Sequence, residues 1–158
     1  MATLSRGYKR KSTGFILADE NANAKILGDE PFQYFQKFPN IQVAVDANRT
    51  NGIEQLLNQP LKPEVILLDD AYQHRKVKAD LYILLTTYYD LYSDDFLLPA
   101  GNLRESRSGA RRSKIVIVTK CPQTISEDEK AKIKFKLNLK PHQQLFFTTV
   151  NYDDFVYS

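Results

Sequence analysis

The sequence is poor in several features that would place it in a specialised class of protein. Its 158 residues include one cysteine, Cys121, which excludes a disulfide framework within the chain and a cysteine-rich zinc site. No apolar run approaches the roughly 20 residues that cross a bilayer, and the N-terminus lacks the apolar core of a signal peptide. The net charge of +3 is too small to indicate nucleic-acid binding. We therefore expect an ordinary globular chain in a reducing, cytoplasmic compartment.

The composition, with 42% hydrophobic and 26% charged residues, is typical of a globular domain. Apolar stretches rich in β-branched residues predict strands, and most of them are continuous in apolar residues instead of alternating. Strands of that kind are buried on both faces in a parallel sheet covered by helices. The predicted strands are 41–45, 65–68, 81–86 and 115–118, with weaker candidates at 2–6 and 145–150.

Predicted helices lie between these strands. One begins at Asp29-Glu30-Pro31 and ends before Pro39, because acidic residues and proline suit a first helical turn. A second, from about Asn48 to before Pro60, would bury its apolar side chains, and a third opens with a capping box at Ser126. The alternation predicts an α/β fold, a mostly parallel sheet flanked by helices, in a single domain over residues 1–158. The buried apolar residues of the second helix would be Ile53, Leu56 and Leu57.

Both ends of the sequence lack the elements that usually open or close an α/β domain. It opens almost directly in a strand-like segment and stops at residues 155–158 with no closing helix. We therefore expect an excised fragment of a longer protein.

The strongest chemical signal is an apolar strand that ends in two carboxylates, Asp69 and Asp70. In a parallel sheet this places them at the carboxyl edge, where α/β proteins bind ligands. P-loop enzymes hold Mg²⁺ with such an aspartate, in the arrangement known as Walker B. A simple turn or helix cap is the alternative explanation. Gln73, His74 and Arg75 follow closely, so an imidazole and a guanidinium are expected at the same edge, unless His74 only makes a structural hydrogen bond.

Four further segments carry charged side chains, three near predicted strand or helix ends and one in a predicted loop. Asp29 and Glu30 form a second acidic pair, for which helix capping is the alternative. The Pro/Gly-bounded segment 97–105 delivers Arg104 and Glu105, which could equally form a surface ion pair. Arginines follow two predicted strands, and their planar groups match phosphate oxygens. These two are Arg6 and Arg49. The sequence has no G-x-x-x-x-G-K-[ST] phosphate loop.

Taken together and in this order, the motifs resemble the tetraacyldisaccharide 4′-kinase family of lipid A biosynthesis. The resemblance covers most of the chain up to Lys120. It is carried by Ser5-Arg6-Gly7-Tyr8, Gly28-Asp29-Glu30-Pro31, Asp46 with Arg49, Asp69-Asp70-x-x-Gln73-His74-Arg75, and Leu98-Pro99-x-Gly101-x-Leu103-Arg104-Glu105.

The resemblance implies an incomplete P-loop NTPase-like fold, the central part of a membrane-associated kinase whose phosphate loop and C-terminal part lie outside this chain. Such a kinase transfers the γ-phosphoryl group of ATP, with Mg²⁺, to the 4′-hydroxyl of a lipid A disaccharide precursor at the cytoplasmic face of the Gram-negative inner membrane. The chain by itself is then expected to be inactive, and no nucleic acid is expected as a partner. The implied site residues are Asp29 as catalytic base, supported by Glu30; Asp69, Asp70 and Glu105 around the metal, with His74 as a further catalytic residue beside the two aspartates; and Arg49, Gln73, Arg104 and Tyr8 around the nucleotide.

Two other functions stay open at this point. The chain could belong to a different P-loop small-molecule kinase, or it could be a non-catalytic module that binds phosphate or nucleic acid through its basic clusters. A guanine-specific GTPase is disfavoured, because Pro122 stands where the base-reading aspartate would follow Lys120.

Overall fold

The computed structural model describes residues 1–151. They form two compact units, which divide between Lys78 and Ala79. The α/β class is confirmed, and the fold is consistent with a P-loop NTPase-like domain. The prediction of a single domain stays a prediction, and the predicted lack of a closing helix at 155–158 lies outside the described residues.

The first unit is a four-stranded sheet with helices between its strands. The strand order is β2-β3-β1-β4, in which β3 and β4 flank β1 in parallel and β2 pairs antiparallel with β3. The strands are β1 (Ala2–Ser5), β2 (Ile16–Leu17), β3 (Gln42–Val45) and β4 (Ile66–Leu68), and the helices are α1 (Ala24–Leu27), α2 (Asp29–Lys37) and α3 (Arg49–Leu57).

The central strand carries the core of this unit. All four residues of β1 are buried, and Leu4 packs with Ala44 and Leu56. Gly52 lets α3 approach β1 closely, because a Cβ there would lie 2.8 Å from the δ carbons of Leu4. Burial of a leucine side chain contributes about 1.5–3 kcal/mol, so this contact fixes α3 over the sheet.

The second unit is a three-stranded parallel sheet in the order β5-β6-β7. Its core comprises buried residues of β6 and α4, together with Leu91 and Cys121. The capping box predicted at Ser126 is confirmed, with Glu129 as its partner. The elements are β5 (Ile83–Thr87), a 3₁₀ helix (Arg107–Arg112), β6 (Ile115–Thr119), α4 (Glu127–Leu137) and β7 (Gln144–Phe147).

Two burial predictions are wrong. Leu57 is 43% exposed, because helical geometry turns it about 100° away from its buried neighbour Leu56. Burial on both faces also fails for β4 and β5, where Leu67 and Leu85 are 50% and 62% exposed. These strands lie at the edges of their sheets, where fewer neighbouring side chains cover them.

In residues 1–151, none of the helices combines the length and the apolar character that a bilayer crossing requires.

Candidate active site

Three strands of the first unit bring their carboxyl ends to one edge of the sheet. Because β3 and β4 both run parallel to β1, the residues that follow these strands become spatial neighbours. The amide of Asp46 donates to the Ser5 carbonyl at 3.0 Å, and the amide of Asp69 donates to the Leu4 carbonyl at 3.2 Å. Segments more than 60 positions apart in the sequence therefore meet at this edge.

The Asp69 carboxylate is held by a side chain from β1. The Ser5 hydroxyl donates to Oδ2 of Asp69 at 3.1 Å, and Ser5 is only 4% exposed. Asp69 itself is half-buried. One of its oxygens is engaged by this bond, and the other, Oδ1, lies outside it.

Arg49 is a buried cation at the same edge, only 3% exposed. Its Nη1 donates to the carbonyl of Asp46, and its Nη2 donates to the carbonyl of Asp69 at 3.3 Å. Burial lowers the pKa of the guanidinium, while the negative charge of Asp69 opposes that shift. Arginine nevertheless stays charged, so it supplies a positive charge beside the aspartates.

Asp46 is buried and accepts hydrogen bonds from the N-cap residue of α3, Asn48, and from its first turn. Its Oδ1 accepts from the amide of Asn48 at 2.8 Å, and its Oδ2 accepts from the side chain of Asn51 at 2.6 Å. These bonds tie the end of β3 to the first turn of α3, which is the turn that carries Arg49.

The loop after β1 packs against the start of α2. Gly7 and Gly28 both have positive φ, at 71° and 93°, and a Cβ on Gly28 would lie 3.0 Å from the Tyr8 carbonyl. Glycine is favoured at both positions, because a side chain would strain this conformation and be crowded by neighbouring backbone atoms. The structure therefore brings the Tyr8 loop next to Asp29, although the Tyr8 side chain is 74% exposed.

Asp29 and Glu30 occupy the first turn of α2 and are both exposed. One turn further along, Tyr34 is half-buried. Burial and then the negative charges of Asp69 and Glu30 raise the pKa of Tyr34. The pKa of this phenol therefore depends on both the acidic first turn of α2 and the carboxylate after β4.

The residues after β4 form consecutive turns. Asp70 has a positive φ of 43°, a conformation that aspartate tolerates better than most side chains. The amide of His74 donates to the Ala71 carbonyl at 2.9 Å, and the Gln73 side chain donates to the Asp70 carbonyl at 3.4 Å. Burial lowers the pKa of His74, and the positive charges of Arg49 and Arg6 lower it further. His74 is therefore neutral near pH 7.

The remaining predicted residues, Arg104 and Glu105, lie in the second unit. Nη2 of Arg112 donates to both carboxylate oxygens of Glu105, at 2.9 and 3.0 Å. Gly109 passes so close to Glu105 that a side chain there would collide with the carboxylate. Arg104 is exposed. The predicted roles of both residues at the metal and nucleotide stay predictions.

The donor set at the strand ends suits magnesium. Asp69 and Asp70 supply the hard carboxylate oxygens that Mg²⁺ prefers, and the ion usually completes its shell with water and phosphate oxygens. Within residues 1–151, His, Cys, Asp and Glu side chains nowhere gather in a group of three or more that could hold a metal alone. A magnesium ion at Asp69 would therefore depend on phosphate and water as further ligands.

Sequence reasoning assigned no role at this edge to three residues. Ser5 and Asp46 stand in the recognised motifs, and their position directly after parallel strands is the signal that could have found them. Tyr34 lies four residues after Glu30, and this spacing, which puts the two on one helix face, is the signal that could have found it.

Comparison with known proteins gives a consistent result. The family model described as Tetraacyldisaccharide-1-P 4'-kinase matches residues 1–154. A protein of Flavobacterium johnsoniae named tetraacyldisaccharide 4'-kinase is 72% identical over 156 residues, which cover 99% of this chain and 46% of that relative. Relatives with the same name from Flavobacterium psychrophilum and Bacteroides thetaiotaomicron are 66% and 55% identical, over 100% and 96% of this chain and 47% and 40% of their own lengths.

The chain thus spans about half the length of the curated relatives that it matches. No solved structure gives a significant match.

Proposed function

This chain belongs to the tetraacyldisaccharide-1-P 4'-kinase family, and we propose that the protein containing it phosphorylates the 4′-hydroxyl of tetraacyldisaccharide 1-phosphate in lipid A biosynthesis. The phosphoryl donor is the γ-phosphate of ATP. The observation that carries the proposal is the meeting of Asp69, Ser5 and the buried Arg49 where parallel strands end, since phosphoryl transfer depends mainly on positioning and charge neutralisation.

The acceptor hydroxyl must lose its proton during transfer. We assign this step to Asp29, whose exposed carboxylate begins α2, with Glu30 supporting it. Raised in pKa by burial and by the charges of Asp69 and Glu30, Tyr34 stays protonated near neutral pH. It therefore adds no negative charge near these carboxylates.

The metal and nucleotide residues follow the same logic. Asp69 and Asp70 would hold Mg²⁺, which when bound neutralises charge on the β- and γ-phosphates. Neutral His74 and Gln73 lie beside them in the turns after β4. The family resemblance further predicts Glu105 at the metal and Tyr8, Arg49 and Arg104 at the nucleotide.

The substrate places the reaction at a membrane. A tetraacylated disaccharide resides in a bilayer, so the protein would work at the cytoplasmic face of the inner membrane. Exposed basic side chains in the second unit are suited to anionic lipid or to the 1-phosphate of the substrate. They are Arg104, Arg107, Arg111 and Lys114.

The test uses the purified full-length protein that contains this chain, with MgATP and tetraacyldisaccharide 1-phosphate in detergent. We expect a product with one more phosphate, at the 4′ position, and no comparable product from soluble sugars. Preferential phosphorylation of soluble sugars would instead favour a small-molecule kinase. Lack of turnover with the glycolipid would contradict the proposal.

A second assay uses the 158-residue chain alone. Because its sequence has no G-x-x-x-x-G-K-[ST] loop to bind the phosphates of ATP, we expect no significant ATP-dependent turnover. Measurable turnover by this chain would refute that expectation.

A further inference from the structure

Two buried polar residues support Asp69 from behind, and we propose that Ser5 and Arg49 are positioning residues that fix the orientation of its carboxylate. Ser5 acts on the carboxylate itself, and Arg49 acts on the backbone of the same residue. The inference rests on the proposed function, in which Asp69 binds the metal, and it adds a role that the motifs did not indicate.

The contact from Ser5 is determined by strand register. Leu4 pairs with Leu68 across β1 and β4, so the next residues, Ser5 and Asp69, stand side by side. The Ser5 hydroxyl reaches Oδ2 at 3.1 Å from a position that is 4% exposed. A carboxylate with one oxygen hydrogen-bonded in this way cannot rotate freely. The direction of the other oxygen, Oδ1, is thereby set for a metal.

The contact from Arg49 joins two strands that do not pair with each other. β1 lies between β3 and β4 in the sheet, and the guanidinium spans its end to reach the carbonyls of Asp46 and Asp69. Asp46 in turn holds the first turn of α3 through Asn48 and Asn51. Arg49 therefore fixes the backbone at Asp69 relative to both strands and to α3.

The burial of Arg49 also argues for a positioning role and against a direct contact with phosphate. Arg49 is 3% exposed, and its Nε is buried without a hydrogen-bond partner within the described residues. Both terminal nitrogens are engaged by main-chain carbonyls. A guanidinium in this state supports the site from within the fold, which differs from the direct nucleotide contact that its motif predicts.

The experiment measures metal binding instead of turnover. Mn²⁺ is titrated into the full-length protein with a non-hydrolysable ATP analogue, and bound Mn²⁺ is followed by electron paramagnetic resonance. Loss of a partner that orients a metal ligand typically costs about 10–100-fold in metal affinity. We expect Ser5→Ala to raise the half-saturating Mn²⁺ concentration by about that factor, and Ser5→Thr, which keeps the hydroxyl, to restore it in part.

Ser12→Ala is the matched control. It removes a hydroxyl from the same unit, where Ser12 donates to the Ile26 carbonyl at 2.5 Å and accepts from the Arg10 side chain at 3.2 Å. Its Mn²⁺ affinity should equal that of the wild type. Circular dichroism checks folding, and Ser5→Cys, which keeps the volume but donates weakly, replaces the alanine variant if that variant does not fold.

Arg49→Lys separates positioning from phosphate binding. Lysine keeps the charge but cannot reach two carbonyls at once, so we expect weaker Mn²⁺ binding and unchanged affinity for the nucleotide without metal. The reverse pattern would return Arg49 to the nucleotide site and overturn its positioning role.

The remaining outcomes separate this inference from the proposed function. If Ser5→Ala binds Mn²⁺ as tightly as the wild type, the positioning role is overturned even if the enzyme phosphorylates the glycolipid. If the wild type does not phosphorylate the glycolipid but Mn²⁺ binding depends on Ser5, the kinase assignment fails and the positioning role stands. A wild type that binds no Mn²⁺ overturns the positioning role.

Discussion

The two compact units hold their predicted functional residues in different ways. In the first unit, Ser5, Asp46 and Asp69 lie at the ends of three parallel strands, and Arg49 joins two of these ends through the carbonyls of Asp46 and Asp69. In the second unit, Glu105 lies in one continuous segment and is paired with Arg112, seven residues away. The first arrangement is assembled over long sequence distances, and the second is local.

This difference explains why the arrangement of the first unit could be predicted from the sequence better than that of the second. Parallel pairing dictates that residues directly after neighbouring strands converge, whatever their sequence separation. A loop has no such rule, because its side chains choose partners according to the detailed path of the backbone. For example, the carbonyl of Asp95 accepts from the Arg107 side chain at 2.7 Å, and the carbonyl of Phe96 accepts from the Leu103 amide at 3.0 Å.

The largest expected effect compares the cores. Leu4→Ala removes a fully buried side chain from the central strand of the first unit, and we expect a loss of about 2–5 kcal/mol in the free energy of unfolding. Leu85→Ala, on the edge strand of the second unit and 62% exposed, should cost about 0.5 kcal/mol or less. Urea denaturation of the full-length variants measures both. Equal losses would show that the exposed face of β5 is covered in the full-length protein.

The next test compares carboxylates. Asp69→Asn should lower kcat by about 10²–10³-fold, the usual effect of removing one group that stabilises transition-state charge. Steady-state kinetics at saturating MgATP measure this. The matched change in the second unit is Glu105→Gln, and a loss as large as that of Asp69→Asn would show that Glu105 also acts on the metal, as its motif predicts.

Glu105 also makes a smaller, structural prediction. Its ion pair with Arg112 is partly exposed, with 26% and 28% of the two side chains accessible. Glu105→Gln should therefore lower the free energy of unfolding by about 1 kcal/mol or less. Asp94→Asn, which breaks the more exposed pair with Lys136, is the control and should cost less. In high salt, the losses in the free energy of unfolding that the two variants show should become more similar.

The smallest expected effect concerns His74. Its folded-state pKa lies below the ordinary value of about 6.5, because of burial and the charges of Arg49 and Arg6. As the pH falls below 6.5, the unfolded state therefore takes up the proton first, and stability decreases until folded His74 is protonated too. An NMR titration of the ring proton should show the lowered pKa, and Arg6→Gln should raise it. No change in Arg6→Gln would place Arg6 too far away to act.

Most regular elements were predictable because they follow local rules. The start of α2 at Asp29 and the capping box of α4 at Ser126 are confirmed, since acidic first turns and reciprocal caps need no tertiary contact. The short elements α1 and β2 were missed. They are four and two residues long, which is too short to show a recognisable periodicity of apolar residues.

The candidate site likewise has features that the sequence shows and features that depend on tertiary packing. That Asp69 and Asp70 end a strand was visible in the sequence, and so was their likeness to the family's motifs. The burial of Arg49 was not visible. An arginine after a strand is ordinarily exposed, whereas this one is 3% exposed and bonded to the main chain of two strand ends.

The sequence by itself determined the α/β class, most of the strands and helices and the family, because periodicity, caps and motif spacing are local properties of the chain. The tertiary structure alone decided that Ser5 holds Asp69, that Arg49 supports the backbone behind it, and that Tyr34 senses both acidic groups. Those facts depend on strand register and on which side of a helix meets the sheet, and both are settled only when distant segments pack together.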